Sequence, residues 1–395
     1  MTVLVRTQLE MAVVGAGPAG LALALHAAAC LPHARVTVFD ARPADHDIAA
    51  DPRTLALALG SVQLLQRLAA WPGEAAQPIL AVHVSQAPPS LPGAEVKIEA
   101  QQEAVPMLGA VLSYGALVSR LQQAWQAAVS REPHRLALRL GTAVHEIKPL
   151  PGAAELDCGV AERFDLVVVA EGGVFADQAR KALVHDYGQT AWVGTVQLHE
   201  AAPGVAFERF TRQGPLALLP LPPAAGRQRA ALVWCVQRDD DPLEGLDQAR
   251  RLTLLQALLP TAAGRLTQLS PLKAFALGLN AERSLVRGRT VRIGNAAQTL
   301  HPVAGQGLNL ALRDAFELVA QLRSAQDVDA ALARVEWARA PDRWSMIAAT
   351  DFLARSFAWQ APVLAPARAL ALAALQAAGP LRSLLARRMM FGLRS

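Results

Sequence analysis

The segment MAVVGAGPAGLALALHAAA, residues 11–29, restricts the fold more than any other part of the chain. It reads as a short apolar strand, a glycine turn and a helix, with glycines in the GxGxxG spacing. The first glycine permits a tight turn, the second lets the backbone approach a pyrophosphate, and the third lets the helix pack against the strand. The free N–H groups of the first helical turn then face the phosphates. The predicted dinucleotide contacts are Gly15, Gly17, Pro18, Ala19 and Gly20.

An acidic residue in the next predicted strand completes a βαβ pattern. The strand RVTVFDAR, residues 35–42, contains Asp40, which follows Gly20 by twenty residues. A carboxylate at this point accepts hydrogen bonds from ribose hydroxyls, so we predict cofactor contacts at Asp40 and Ala41. The simpler alternative is an ordinary tight turn with an incidental acid. The combined pattern favours a dinucleotide site, but it does not distinguish NAD from FAD.

A second glycine-rich stretch, RIGNAAQTLHPVAGQGLNLALRDA at residues 292–315, separates a short strand from an amphipathic helix. A helix N-terminus carries roughly half a positive charge, which favours the negative charge of a reduced flavin and gives little to a nicotinamide. The loop has few side chains, so its backbone can lie against a flat ring. The predicted flavin contacts are Gly294, Asn295, Pro302, Gly305, Gln306, Gly307, Leu308 and Asn309.

Together, the stretches GAGPAGL and GNAAQTLHPVAGQGLNLALRDA resemble the single-component FAD-dependent aromatic hydroxylases. Within that class they are most similar to the ubiquinone-biosynthesis hydroxylases of the 2-polyprenylphenol group. The resemblance continues through DPRTLALALGSVQLLQRLAAW (51–71), RQGPLALLPL (212–221) and WARAPDRWSMIAATDFLARSF (337–357). It implies an α/β (α+β) fold: a Rossmann-like FAD-binding domain of the aromatic-hydroxylase type, an inserted antiparallel β-sheet substrate domain and C-terminal helices.

Changes in the residue pattern along the sequence indicate where these parts begin and end. Alternating apolar segments separated by Pro and Gly turns, typical of an antiparallel sheet, interrupt the nucleotide-binding pattern. The predicted boundaries are 1–75, 105–175 and 275–345 for a discontinuous FAD-binding domain, 76–104 and 176–274 for the substrate domain, and 346–395 for a C-terminal helical segment.

The resemblance also places residues of the middle of the chain at the cofactor, with two departures from the family pattern. The segment FDLVVVAEGGVFADQARK (164–181) matches an Asp-Gly signature, but Glu171 precedes Gly172 where the family has Asp. We predict cofactor contacts at Glu171 and Gly172, the first lengthened by the extra methylene group. Tyr114 stands where the family usually has Asn, Gln or Arg against the cofactor. Both departures concern local contacts and not the fold.

Two further side chains have a functional and a structural interpretation. Arg53, in the pair Asp51-x-Arg53, lies near the flavin in the family and would contact the cofactor; the alternative is a solvated ion pair. His301 precedes Pro302, where it can act as an acid or base near neutral pH or simply support the turn. No acid–base residue is assigned from the sequence.

The activity that the resemblance implies is hydroxylation of an aromatic ring by an FAD-dependent monooxygenase, through a flavin C4a-hydroperoxide. The expected substrates are O₂ and a polyprenylphenol of ubiquinone biosynthesis. NAD(P)H would be a transient reductant, since the sequence has no second GxGxxG for it. Two alternatives stay open: an FAD-linked prenyl-lipid reductase that does not use O₂, and a non-catalytic flavin-binding accessory subunit of a biosynthetic complex.

Composition narrows the expected partners and location. The net charge is +5 over 395 residues, and no basic run with interleaved aromatic residues suggests a nucleic-acid partner. The three cysteines are far apart, which argues against a disulfide framework and a metal site. We find no signal peptide and no run of about eighteen apolar residues, so we expect a cytoplasmic protein.

The C-terminal stretch 361–395 combines apolar segments with several arginines, among them Arg382, Arg387 and Arg388. A basic amphipathic helix can lie at a membrane surface or dock a partner. The stretch therefore suggests peripheral contact with the inner face of the membrane or with a biosynthetic complex. The alternative is a helix packed on the domain with its arginines in solvent.

Overall fold

The computed structural model of the chain describes residues 8–87, 94–171, 181–358 and 364–393. The predicted contact at Gly172 lies outside these residues. The strands are β1 (Leu9–Val14), β2 (Ala34–Asp40), β3 (Thr54–Ala58), β4 (Gln77–Ile79), β5 (Ala81–Gln86), β6 (Glu95–Glu99), β7 (Gly109–Ser113), β8 (Leu136–Leu140), β9 (Glu146–Leu150), β10 (Ala153–Asp157), β11 (Ala161–Phe164), β12 (Leu166–Val169), β13 (Lys181–His199), β14 (Val205–Phe210), β15 (Pro215–Ala224), β16 (Arg227–Gln237), β17 (Arg265–Leu269), β18 (Lys273–Glu282), β19 (Val286–Arg287), β20 (Thr290–Arg292) and β21 (Gln298–Thr299). The helices are α1 (Pro18–Cys30), α2 (Leu59–Arg67), α3 (Tyr114–Arg131), α4 (Gln248–Leu258), α5 (Gly307–Ser324), α6 (Val328–Ala358), α7 (Leu364–Ala377) and α8 (Gly379–Phe391).

The first glycine motif lies in a six-stranded sheet with the order β19-β20-β12-β1-β2-β8. Strand β1 pairs in parallel with β12 and β2, and β12 pairs in parallel with β20. Every residue of β12 is buried, because both faces of the sheet are covered. Helices α1, α3 and α5 pack on one face. The three-stranded sheet β11-β10-β9 packs on the other.

Helix α1 is apolar on nearly every side because it is enclosed between the sheet and its neighbouring helices. It begins at Pro18, where the missing N–H is not needed for a helical hydrogen bond. Leu21 and Leu23 are fully buried, and each buried leucine contributes roughly 2 kcal/mol. The helix contacts α3 and α5. This packing fixes the glycine turn that precedes it.

The second large sheet has nine strands in the order β21-β18-β13-β16-β15-β14-β5-β6, with β17 paired to β13. Its pairs are antiparallel, apart from the parallel pair of β14 with β5. Strand β18 crosses the boundary predicted between residues 274 and 275, and β21 joins the sheet from further along the chain. The domain boundaries themselves stay a prediction.

The two faces of the nine-stranded sheet meet different parts of the molecule. One face packs Phe207 and Trp234 against helix α4. The opposite face, which we call the inner face, packs Ala206 against residues of α2 and α8. Further along the same strand, Phe210 packs against Val303 of the second glycine loop. The inner face therefore covers α2, α8 and the second glycine loop.

The C-terminal helices close the structure through polar and apolar contacts. Arg339 of α6 lies between two carboxylates: its Nε donates to Asp314 Oδ1 at 2.6 Å and its Nη2 donates to Asp342 Oδ2 at 2.8 Å. Helix α8 approaches α2 so closely that a Cβ on Gly60 would lie 2.7 Å from the carbonyl oxygen of Met390. The predicted α/β fold with an inserted, mainly antiparallel sheet and C-terminal helices is confirmed.

Among the described residues, no single helix has the length and apolar character needed to cross a membrane. Two consecutive helices, Pro366–Ala377 and Gly379–Phe391, meet at an angle of 96°. Taken together, they have the length and apolar composition of a membrane-crossing segment.

Candidate active site

The first glycine turn is held by close backbone contacts. Gly15 has φ +104°, and a Cβ there would lie 3.0 Å from the Cβ of Glu171. A Cβ on Gly20 would lie 2.0 Å from the carbonyl oxygen of Gly15, so a side chain at position 20 would force the helix away from the strand. A Cβ on Gly17 would lie 3.4 Å from the hydroxyl of Tyr114 and within 4 Å of no other described atom. The turn is thus packed on the chain's side and open at Gly17, where helix α1 begins.

The two glycine motifs meet at the carboxyl edge of the parallel strands. Strands β1 and β20 lie on either side of β12, and each leads into one of the glycine turns. A Cβ on Gly294 would lie 3.3 Å from the Cβ of Ala311 in α5 and 3.8 Å from the Cβ of Ala19 in α1. Ligands of open α/β sheets bind at this edge. The sequence prediction that both motifs serve one site therefore has a geometric basis.

The second loop leaves space at the start of helix α5. The helix begins at Gly307, and a Cβ placed there would meet no atom of the described residues within 4 Å. Gly305, one turn earlier, lies against β3: a Cβ on it would be 3.3 Å from the Cβ of Ala56. Pro302 and Asn295 are exposed, whereas Gln306 is buried. The backbone of 302–307 is therefore supported from one side and open on the other.

Asn309 connects this loop to strand β3. Its Oδ1 accepts from the backbone N–H of Ala58 at 2.8 Å. Its Nδ2 donates to the carbonyl oxygens of Ala56, at 3.2 Å, and Gly305, at 2.9 Å. The side chain is 1% exposed, so its three bonds serve the protein rather than a ligand. Its backbone N–H and that of Leu308, in the first helical turn, are the groups that point out of the helix end.

Asp40 ends strand β2 as predicted, but its carboxylate is already engaged by the chain. It accepts from the backbone N–H of Ala16 at 2.6 Å and from the Arg42 side chain at 2.8 and 2.9 Å. Burial opposes its ionisation, yet these bonds outweigh burial and hold its pKa below the usual range. Arg42 also donates to the Ala16 carbonyl at 2.9 Å. Asp40 therefore braces the turn, and Arg42 presents the cation beside it.

Tyr114 lies beside the first turn, and Arg53 lies over its ring. The Arg53 guanidinium lies 4.0 Å from the centre of the Tyr114 ring. Asp51 holds the guanidinium with bonds of 2.7 to 3.0 Å, and the Arg53 side chain is 63% exposed. Burial raises the pKa of the Tyr114 hydroxyl, which stays a donor at neutral pH. The ion pair of the structural interpretation is present, and contact of Arg53 with the cofactor stays a prediction.

Glu171 follows the end of β12 and lies against Gly15. Burial raises the pKa of its carboxyl, the negative charge of Asp40 adds to the increase, and Arg42 opposes it. The carboxyl therefore holds its proton more readily than an ordinary glutamate does. It lies at the turn, where the family signature places an acidic side chain.

Protein families and known proteins similar to this chain indicate the same kind of site as the geometry does. A family model described as an FAD binding domain matches residues 171–349. Ubiquinone hydroxylase UbiL of Rhodospirillum rubrum is 33% identical in an alignment 372 residues long, which covers 90% of this chain and 83% of that protein. The 3-demethoxyubiquinol 3-hydroxylase of Escherichia coli is 30% identical in an alignment 407 residues long, which covers 94% of this chain and 96% of that protein.

The chain belongs to the ubiquinone-biosynthesis family of FAD-dependent hydroxylases. The predictions of this family, of an enzyme of the monooxygenase class and of an FAD cofactor are confirmed. The fold has close counterparts among solved structures of 16% identity. One is p-nitrophenol 4-monooxygenase PnpA of Pseudomonas putida, with a TM-score of 0.77 and coverage of 98% of this chain and 100% of that one. Another is HpxO of Klebsiella pneumoniae complexed with FAD and uric acid, with a TM-score of 0.74 and 98% of each chain covered.

The described residues fit the FAD of this hydroxylase family. An opening lies at Gly17 beside the N–H groups of α1, and a second lies at Gly307 beside the N–H groups of α5. Donors from Arg42 and Tyr114 stand next to the first opening. A phosphate-bearing dinucleotide with a flat ring needs both features. Which of the predicted side chains contact it stays a prediction.

His301 makes the contacts that a role in supporting the turn requires. Its Nδ1 accepts from the backbone N–H of Val303 at 3.2 Å, so its Nε2 carries the hydrogen and donates to Gln189 Oε1 at 2.9 Å. The ring is 1% exposed, and burial lowers its pKa to about 4. It is therefore neutral at physiological pH and ties the loop to the inner face of the sheet.

Arg42 and Gln189 are site residues that the sequence predictions missed. Arg42 follows the conspicuous Asp40 by two residues, and its charge at a strand end was an available signal. Gln189 lies in a long strand of the other sheet, and nothing in its local sequence indicates that it meets His301 across 112 positions.

Proposed function

We propose that this chain uses NAD(P)H and O₂ to hydroxylate the aromatic ring of a polyprenylated phenol in ubiquinone biosynthesis. The observation that carries the proposal is the second glycine loop. It opens at Gly307 on the N-terminus of α5, and the inner face of the nine-stranded sheet covers it at Val303. A flat ring in this space would lie between a positive helix end and a mainly apolar sheet.

The residues that would hold FAD divide between the two openings. The turn at 15–19 and the donors of Arg42 and Tyr114 would hold the pyrophosphate end. The backbone of 302–307 and the first turn of α5 would hold the flavin ring. When bound, FAD accepts a hydride from NAD(P)H and supplies the oxygen chemistry. The helix end favours the negative charge of the reduced ring, because its N–H groups are already oriented.

The chain's other contribution is the exclusion of water. Phe210 and Val303, which are 7% and 4% exposed, seal the contact between the sheet and the loop. At the other end, Ala206 and Met390 close the sheet against α2 and α8. Water exclusion strengthens the electrostatic interactions of the site and protects reactive species from hydrolysis.

Anaerobic stopped-flow absorbance tests the proposed function. The protein is reconstituted with FAD and mixed with NADH or NADPH, with and without a short-tailed polyprenylphenol, and is then exposed to O₂. We expect flavin bleaching that the phenol accelerates, followed by hydroxylated product. Reduction with electron transfer to a prenyl lipid and no use of O₂ would support the reductase instead. FAD that binds but is not reduced would support the accessory subunit.

The exposed side chains of α7 and α8 support a peripheral contact with an anionic membrane. Leu370, Leu381 and Leu384 are 64%, 56% and 65% exposed. Arg387 on the same helix as the last two is 60% exposed. Apolar area together with basic side chains is the combination that binds a charged lipid surface. We expect the leucines to enter the headgroup region and the arginine to meet lipid phosphates.

Vesicle flotation tests this contact. The double change Leu381→Gln and Leu384→Gln is compared with the wild type on vesicles of phosphatidylglycerol and phosphatidylcholine. The control is Val160→Gln, since Val160 is 71% exposed on another part of the surface. Binding to anionic vesicles that only the double change reduces is expected. Equal binding by all three proteins would refute the contact.

A further inference from the structure

Glu208 occupies the middle of the inner face of the nine-stranded sheet. In strand β14 its neighbours two residues away are Ala206 and Phe210, and alternate residues of a strand share a face. Ala206 packs in the cluster with α2 and α8, and Phe210 packs against Val303. Glu208 therefore lies between the two contacts that close the sheet over the flavin loop.

The neighbours of Glu208 in the sheet have small side chains without charge. Its paired neighbours across the sheet are Ala217 on β15 and Val84 on β5. Among the described residues, Cys235 on β16 is affected by the charge of Glu208. Burial raises the pKa of the Cys235 thiol, and the charge of Glu208 adds to the increase. The thiol is therefore uncharged at neutral pH. No basic side chain among the described residues pairs with Glu208.

The carboxyl of Glu208 also has no hydrogen-bond partner among the residues that the structure describes. Its side chain is half-buried, and the protein around it disfavours the charged form. Burial raises its pKa to about 7. By contrast, Arg209 on the opposite face donates to Ser85 Oγ at 3.0 Å and to the Leu258 carbonyl at 3.1 Å.

A buried carboxyl without a partner is unfavourable for folding, so its presence needs another explanation. A ligand that supplies a hydrogen-bond donor removes the penalty. The ring in the proposed function carries such a donor, its phenolic hydroxyl, and must sit on the sheet side of the flavin loop. Resting on that proposed function, we propose that Glu208 accepts a hydrogen bond from the phenolic hydroxyl of the substrate and takes its proton.

The proton transfer balances within the pair. The phenolic O–H bond breaks, a new O–H bond forms on a carboxylate oxygen of Glu208, and the electron pair stays on the phenol oxygen. The ring then carries more electron density and is a better target for an electrophilic oxygen. A group whose pKa lies near the working pH is suited to this transfer.

Two variants separate the hydrogen bond from the proton transfer. Glu208→Leu removes both, whereas Glu208→Gln keeps an acceptor but cannot take a proton. The control is Glu244→Gln, at an exposed position of the same part of the chain. Each FAD-loaded protein is titrated with the phenol and with its deoxy analogue, in which hydrogen replaces the hydroxyl, and binding is followed by the flavin absorbance. Product formation and peroxide release are measured on the phenol.

We expect the wild type and the control to bind the phenol at least about tenfold more tightly than the deoxy analogue. In Glu208→Leu this ratio falls to within about threefold, while FAD binding and reduction without phenol are unchanged. Glu208→Gln keeps most of the ratio but forms at least about tenfold less product per NAD(P)H oxidised, with more peroxide. An unchanged ratio in Glu208→Leu, or normal product yield in Glu208→Gln, overturns the proposal.

The same data keep this proposal distinct from the proposed function. A wild type that binds the phenol with the expected ratio but makes no hydroxylated product would refute the hydroxylase activity and leave the hydrogen bond supported. A wild type that hydroxylates the phenol normally, with no dependence on residue 208, would refute the role of Glu208 alone. Should Glu208→Leu fail to fold, the product yield of Glu208→Gln decides.

Discussion

The two helix starts that follow the glycine motifs have opposite packing. At α1 the chain closes on itself, and a Cβ on Gly20 would lie 2.0 Å from the Gly15 carbonyl oxygen. At α5 the chain is open, and a Cβ on Gly307 would meet nothing within 4 Å in the part of the chain that the structure describes. Similar sequence patterns therefore serve different purposes. The first glycines let protein pack on protein, and the last leaves open space, which we propose receives the flavin ring.

The largest expected effect comes from filling the closed start. Gly20→Ala should lower the free energy of unfolding by about 3 kcal/mol or more, because α1 must move away from β1. Gly307→Ala is the matched change at the open start and should stay within about 1 kcal/mol of the wild type. Urea unfolding of both proteins without FAD measures the difference. Equal losses in the two variants would contradict the contrast in packing.

A pH dependence sharpens the comparison at the base of the second loop. Burial lowers the pKa of His301 to about 4, against 6.5 for an ordinary histidine. A histidine with a lowered pKa in the folded state contributes stability above pH 6.5 that is lost as the pH falls toward 4. The loss is about 3 kcal/mol at most for this shift.

Urea unfolding at pH 7 and pH 4.5 checks this expectation. His301→Gln should lose less stability between the two pH values than the wild type does. His33→Gln, at an exposed position, is the control and should behave as the wild type. The same pH dependence in all three proteins would mean that the histidine is not held neutral in the folded loop.

A smaller effect is expected at the tie between the loop and β3. Asn309→Leu removes the bonds to Ala58, Ala56 and Gly305, and should lower the free energy of unfolding by about 1–3 kcal/mol. FAD affinity should fall with it, because the loop loses its support. Asn295→Leu, at an exposed position before the same loop, should leave stability unchanged. Isothermal titration with FAD and urea unfolding test both, and a stable Asn309→Leu protein would remove the proposed tie.

The fold and the glycine turns could be predicted because their determinants are local. The GxGxxG spacing, the apolar strand before it and the helix after it lie within a few residues of one another, as do Gly307 and the amphipathic pattern of α5. A helix start and a tight turn need no distant partner. The structure places α5 at Gly307, next to the predicted start at Leu308.

The rest of the site depends on contacts between distant segments. The ribose contact of Asp40 stays a prediction, but its local sequence did not indicate that the carboxylate would also accept from Arg42 and Ala16. His301 is positioned by Gln189, and the place proposed for Glu208 depends on β14 belonging to the sheet that covers the loop. The pairing of strands that brings these residues together is set by tertiary packing, which the local sequence does not encode.

FAD affinity of two leucine variants tests the central claim, that the open start of α5 receives the flavin. Gly307 and Gly379 are each the first residue of a helix, and among the described residues a Cβ on either meets no atom within 4 Å. Gly307→Leu should fold normally but bind FAD about 100-fold more weakly, which corresponds to nearly 3 kcal/mol. Gly379→Leu should bind FAD as the wild type does. Tight FAD binding by Gly307→Leu would contradict the claim.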